Sequence, residues 1–350
     1  MVEPRAYEAL AQTVVGLRDP YFLEITREIQ AGLREAFGTS NQRTYILPAG
    51  GSGAMEAAIA NFVEPESKLL IFSAGLFAER MATMADRQRA IVVRVQKPWG
   101  EVFTEEEARQ AIDRERPSTV AFVQAETSTG AYQSGQAIAP VAKKWGALVI
   151  ADCVTSLGAM PVELDRVGID VAFSCSQKGL SCPAGLAPIS LSDRAWEILM
   201  AKREAPFTWY LDLKLMSAYF EPPNTYHHTP SPPLYYAMHQ ALAAIQDEGL
   251  QNRWDRHKRS GQRLIEGLIR LGFTPLVRDP EQRLWHLITV VPPEGMNETM
   301  FRQKLLDEHS IEIASGLGQL AGKILRIGVM GPLATDANVD SLLQAIEACA

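Results

Sequence analysis

The stretch ALVIADCVTSLGAMPVELDRVGIDVAFSCSQKGL, residues 147–180, decides how the chain is read. Its first apolar run, 147–152, ends in Asp152, and a second, 170–174, leads through Ser-Cys-Ser-Gln to Lys178. The chain has several such runs, and several are apolar throughout rather than alternating, as strands covered on both faces should be. In an open α/β sheet the carboxyl ends of strands face the ligand crevice, so an acid and a lysine delivered there are candidate anchors for one ligand. A lysine after a strand is ordinarily a solvated loop residue, so the pair needs support from elsewhere.

Working outward, similar runs stand at 44–48, 68–72, 90–95, 119–124 and 185–191, separated by helical periodicity at 21–37, 104–115 and 136–146. This alternation predicts an α/β fold, a mostly parallel sheet flanked by helices. After about residue 230 the pattern changes. A long helical region over 232–271 breaks near Gly249, then apolar runs at 284–291 and 324–329 and helices at 297–308 and 334–348 predict a smaller α+β unit. The expected division is 1–248 for a large domain and 249–350 for a small carboxyl-terminal one. The cations Arg253, Arg256, Lys258, Arg259 and Arg263 read as a solvated helix face.

Gly50, Gly51, Ser52 and Gly53 run directly into a helical pattern, so free N–H groups and the helix dipole would suit a phosphate. A tight strand-to-helix turn needs the same small residues, and the motif is neither a dinucleotide fingerprint nor a Walker loop. Phosphate cradle, carboxylate and crevice lysine together fit pyridoxal 5'-phosphate: Asp152 would keep the pyridine nitrogen protonated and Lys178 would condense with the aldehyde.

The 350 residues carry 34 Lys and Arg against 41 Asp and Glu, a net charge of −7, which does not suit a nucleic-acid binder. With 47% hydrophobic and 21% charged residues the composition is that of a soluble globular protein, and no apolar run could span a bilayer. MVEPRAYEAL lacks the basic and apolar regions of a signal peptide, so a cytoplasmic location is expected. Cys153, Cys175, Cys182 and Cys349 form no C-x-x-C pair and no metal site is expected; packed, reduced thiols are.

Over nearly its whole length the chain resembles the class V aminotransferases of fold type I, in particular the alanine–glyoxylate and serine–pyruvate group. The likeness runs in order through GSGAMEAAI, GLFAER, AETSTGAYQ, the 147–180 stretch, PAGLAPISLS, YHHTPSPPLYY and GKILRIGVMG. It implies catalysis by Lys178 and Asp152, with Gln177, Ser52 and Gly53 binding phosphate and Val154 beneath the cofactor ring. Phe77 would stack on the ring, where relatives often carry Trp or Tyr, and Thr127 or Ser128 would lie near the ring hydroxyl or phosphate. Tyr226 and Thr229 would reach the phosphate of a neighbouring subunit, which implies a homodimer with shared active sites; His227 and His228 would pack nearby. Arg326 would grip the substrate α-carboxylate through its planar fork.

Relatives carry a Gly-Pro-Gly-Pro segment lining the substrate pocket, and Met1 falls about where it would end, so completion of the pocket by other means, or a truncated start, is expected. The implied activity moves the amino group of alanine or serine to a 2-oxo acid such as glyoxylate or pyruvate. Competing readings are transamination of a phosphonate amine, cysteine desulfuration, and a non-catalytic subunit retaining the fold. Desulfuration calls for a mobile cysteine and usually His before the lysine, whereas Gln177 precedes Lys178 and Cys182 lies in a nearby turn.

Overall fold

In a computed structural model, residues 1–349 are described. The strands, in chain order, are β1 (Arg43–Leu47), β2 (Lys68–Ser73), β3 (Ile91–Gln96), β4 (Thr119–Val123), β5 (Ala125–Glu126), β6 (Ala131–Tyr132), β7 (Leu148–Asp152), β8 (Val171–Phe173), β9 (Ala187–Leu191), β10 (Thr274–Pro275), β11 (Leu287–Val291), β12 (Ala314–Ser315) and β13 (Leu325–Gly328). Seven form the main sheet in the order β1-β9-β8-β7-β4-β2-β3. Strands β3, β2, β4, β7 and β8 pair in parallel, and only β9 runs antiparallel to both its neighbours, β8 and β1. The fold is thus α/β with a mostly parallel sheet, as the alternating pattern predicts.

That direction places the site. Six strands point the same way, so the segments following β1, β2, β4, β7 and β8 all emerge at one edge of the sheet. The central strands β4, β7 and β8 are buried along their full length, which explains why they read as unbroken apolar runs. The helical pattern at 21–37 appears as Pro20–Phe37, capped by the Asp19 side chain and closed by Gly38 in the left-handed region. At 136–146 the helix is shorter, Ala139–Lys144, because Pro140 sits at its start and a 3-10 turn precedes it.

Helices Pro232–Glu248 and Leu250–Arg270 meet at Gly249, whose φ is +80°. The first joins the core beneath the large sheet through Tyr235, Leu242 and Ile245. The second packs through Leu264, Ile265 and Leu268 into a separate core with Ile288, Leu325 and Ile346. There a four-stranded antiparallel sheet, β10-β11-β13-β12, lies against Leu250–Arg270 and Asp336–Cys349. Ala125, Met160, Leu284 and Leu287 form a small cluster bridging the two regions. The 284–291 run becomes strand only from Leu287.

The cation run is not a solvated face throughout. Arg253 is 3% exposed and Arg256 is half-buried. The spacing 253, 257, 260, 261, 264, 268 follows one helical face, so the first cation continues the buried stripe rather than opposing it.

Candidate active site

Five of those strand ends supply one cleft. It is lined by Gly51, Ser52 and Met55 after β1, Phe77 and Arg80 after β2, and Thr127 after β4. Asp152, Val154 and Thr155 follow from β7, with Gln177 and Lys178 after β8. Its empty volume, open mouth included, is about 630 Å³.

The helix Gly51–Phe62 begins at the cleft. Gly53 N–H is taken by Gly50 O at 2.9 Å and Ala54 N–H by the same carbonyl at 3.2 Å, whereas those of Gly51 and Ser52 have no acceptor within the protein. Free donors at a helix start are what a phosphate needs. A Cβ on Gly51 would stand 3.0 Å from Val154 Cγ2, so glycine lets the helix start close on the floor of the site. Of the expected pair Ser52 and Gly53, then, Ser52 lines the cleft and Gly53 has its N–H engaged.

Asp152 closes β7 at the bottom. Its Oδ1 accepts from Val154 N–H at 2.8 Å, and no protein donor reaches Oδ2. Burial raises its pKa to about 7, with the backbone bond and Arg80 opposing. A buried carboxylate with one free oxygen awaits a cationic N–H. Lys178, half-buried, sits across the cleft on a turn closed by Ser181 N–H to Lys178 O at 2.9 Å.

Sequence reasoning missed Arg80. It lies three residues beyond Phe77 on the same helix, its guanidinium 4.8 Å above the Phe77 ring, and Nη1 donates to Ser52 Oγ at 2.9 Å. A cation thus stands beside the free N–H groups. The i, i+3 spacing from Phe77 is the signal that could have found it. Glu126, within the quoted AETSTG, is a second omission. Its buried carboxylate accepts from Phe77 N–H at 3.1 Å, Ala78 N–H at 3.3 Å and Ser128 N–H at 3.0 Å, holding the Phe77 helix start. Burial raises its pKa while these bonds oppose.

Between Thr127 and Ser128 the geometry separates two roles. Thr127 lines the cleft. Ser128 is fully buried, bonded to Glu126 and accepting from Leu76 N–H at 2.9 Å. Arg326, on β13, reaches over from the small sheet: Nε donates to Ser315 O at 2.7 Å and Nη1 to Thr127 O at 3.2 Å. Its guanidinium is therefore fixed at the cleft wall, with burial lowering its pKa and Glu126 opposing.

Tyr226 and Thr229 do not line the cleft of their own chain. They are exposed, and bonded to each other at 2.9 Å between hydroxyls. His227 stacks on Trp209 with centroids 4.5 Å apart and meets His228 through Nδ1 at 3.0 Å, so both histidines pack. The four cysteines are free and buried. Cys182 is fully buried, its N–H bonded to Ser176 O at 3.0 Å, and it does not line the cleft. No described helix is long and apolar enough to cross a membrane.

The family model "Aminotransferase class-V" matches residues 5–342. The alanine–glyoxylate aminotransferase of Mus musculus is 34% identical over 347 residues, covering 98% of this chain and 84% of the relative. The (S)-ureidoglycine–glyoxylate transaminase of Bacillus subtilis is 33% identical, covering 99% and 88%. A solved structure of alanine–glyoxylate aminotransferase from Nostoc sp. superposes with a TM-score of 0.97 at 43% identity, covering 99% of this chain and 92% of that one.

Proposed function

The chain belongs to the class-V aminotransferases, and from that premise we propose that it transfers the amino group of L-alanine or L-serine to a 2-oxo acid such as glyoxylate or pyruvate, with pyridoxal 5'-phosphate as cofactor. The observation that carries this is convergence. Lys178, Asp152 and the free N–H groups of Gly51 and Ser52 line one cleft, and Arg326 is tied to its wall.

The residues fit the cofactor. Gly51 and Ser52 N–H, the Ser52 hydroxyl, Gln177 and Arg80 offer a phosphate both hydrogen bonds and charge. Asp152 Oδ2 is placed to hold the proton of a ring nitrogen, and Val154 and Phe77 offer apolar surfaces for a ring. Bound pyridoxal phosphate supplies a reactive aldehyde and an electron sink for charge developing at the substrate α-carbon. Lys178 Nζ, which lines the cleft, would hold the cofactor through that aldehyde and would serve as the base for the substrate α-proton. Arg326 orients the substrate by its α-carboxylate; its Thr127 and Ser315 bonds fix the plane of the fork before substrate arrives. Burial alone raises the Asp152 pKa to about 7, so a ring N–H paired with Oδ2 would keep it fully ionised at neutral pH.

The exposed Phe207, Trp209 and Tyr226 support a homodimer in which Tyr226 and Thr229 face the partner's cleft. Four buried, unpaired cysteines suit a reducing compartment, the cytoplasm. The test is a visible absorbance titration of the holoenzyme. L-alanine or L-serine should deplete the cofactor band and glyoxylate restore it; a band indifferent to both donors overturns the substrate assignment.

A further inference from the structure

We propose that Arg253 is a positioning residue that sets the separation between Lys178 and Arg326, working with Glu248 and Arg256. The inference rests on the roles just proposed for Lys178 and Arg326.

Arg253 Nε donates to Gly158 O at 2.9 Å, and Nη2 donates to Gly179 O at 2.9 Å and Ser181 Oγ at 3.0 Å. Gly158 belongs to the turn that follows Asp152, and Gly179 follows Lys178 directly. The two turns interlock: a Cβ on Gly179 would stand 2.3 Å from Leu157 O, and one on Gly158 2.9 Å from Gly179 O. One planar fork therefore joins the turn of the acid to the turn of the lysine, which a lysine's single ammonium could not do.

The remaining donor points the other way. Arg253 Nη1 pairs with Glu248 Oε2 at 2.9 Å, and the same carboxylate takes Arg256 Nε at 2.6 Å and Nη2 at 2.9 Å. Arg256 Nη1 then donates to Gly331 O at 2.8 Å and Ala334 O at 2.9 Å, just beyond the strand that bears Arg326. His257 completes the link. Its Nε2 accepts from Gly331 N–H at 3.0 Å, which puts its proton on Nδ1, donated to Arg253 O at 2.7 Å. Gly331 itself has φ +59° and approaches so closely that a Cβ would lie 2.1 Å from Ser181 Oγ.

A continuous set of short bonds thus runs from the Lys178 turn, through the first turns of Leu250–Arg270, to the segment after Arg326. A substrate held by its carboxylate at Arg326 must present its α-carbon to Lys178, and small misplacements there are costly.

The test uses the holoenzyme and its Arg253→Lys, Arg253→Ala and Arg256→Gln variants. Borohydride trapping of cofactor on Lys178, visible circular dichroism, and the split between KM and kcat for L-alanine are read together. Arg253→Lys should keep its cofactor bond, change the circular dichroism of the cofactor, and lose on the order of ten- to a hundredfold in kcat/KM. Added guanidinium ion should restore part of the Arg253→Ala loss. A folded Arg253→Lys with wild-type dichroism and kinetics overturns the inference and leaves the functional reading standing. If neither Arg253 variant folds, Arg256→Gln decides: a raised KM with the cofactor bond intact supports the link, and an unchanged KM overturns it. A wild-type enzyme that traps no cofactor on Lys178 overturns the functional reading, and this inference with it.

Discussion

Replacing Asp152 by Asn should make the cofactor-free protein more stable above neutral pH while destroying its catalysis. The carboxyl is buried at the end of β7 with one backbone donor, and burial lifts its pKa from 3.8 to about 7. Below the lower value it is protonated in folded and unfolded chains alike. As pH rises towards 7 the unfolded chain ionises and the folded chain does not, so stability from this group is lost. At about 1.4 kcal/mol per pH unit, charging it in place costs the fold roughly 4 kcal/mol by pH 8. Relaxation of the cleft and its water would reduce this, so a gain of about 2–4 kcal/mol is expected for Asp152→Asn at pH 8, and little at pH 4. The assay is thermal or urea unfolding of both proteins, stripped of pyridoxal phosphate, from pH 4 to 8. Buried Glu126 contributes to both curves and largely drops out of their difference. Curves that stay parallel across that range would refute the claim that Asp152 is an unpaired buried carboxyl awaiting a cationic partner. Adding pyridoxal phosphate should stabilise the wild type more than Asp152→Asn, because only the acid can pair with the ring proton.

Three further outcomes follow from the geometry. Arg326→Lys, which cannot grip a carboxylate with two parallel bonds while holding Thr127 O, should raise KM for the amino acid by about tenfold or more in steady-state kinetics. Removing the guanidinium that donates to Ser52 Oγ, as in Arg80→Ala, should weaken binding of pyridoxal phosphate by roughly tenfold in a fluorescence titration, with a steeper loss at low ionic strength where the charge counts most. Gly331→Ala faces both a positive φ and Ser181 Oγ, so it should lower stability by about 1–3 kcal/mol in urea unfolding and reduce activity in parallel.

How much of this was legible in the sequence depends on the kind of signal. The sheet was, because β4, β7 and β8 are covered on both faces and can only be apolar. That Asp152 and Lys178 share one cleft was, because Asp152 ends one such run and Lys178 follows the next by a few residues, and parallel strands bring those ends to one edge. The division of labour between Ser52 and Gly53 was not. It turns on which N–H the Gly50 carbonyl consumes, a matter of one hydrogen bond. Thr127 and Ser128 could not be told apart for the same reason: both lie in the turn after β5, and the hydrogen bonds of Ser128 to Glu126 and Leu76 are what separate them. Arg80 escaped because an arginine on an amphipathic helix ordinarily reads as solvent-facing. Arg253 escaped more instructively. Its helical phase matched Leu264 and Leu268, but composition outweighed periodicity in the reading of that segment.

The measurement that bears most directly on the central claim is covalent trapping. Holoenzyme incubated with pyridoxal phosphate, reduced with borohydride and digested should yield one modified peptide, carrying the phosphopyridoxyl group on Lys178. The Lys178→Ala protein should yield none and show no turnover while unfolding at nearly the wild-type temperature. A modified lysine elsewhere, or undiminished turnover in Lys178→Ala, would contradict the assignment of the cleft and of the chemistry derived from it.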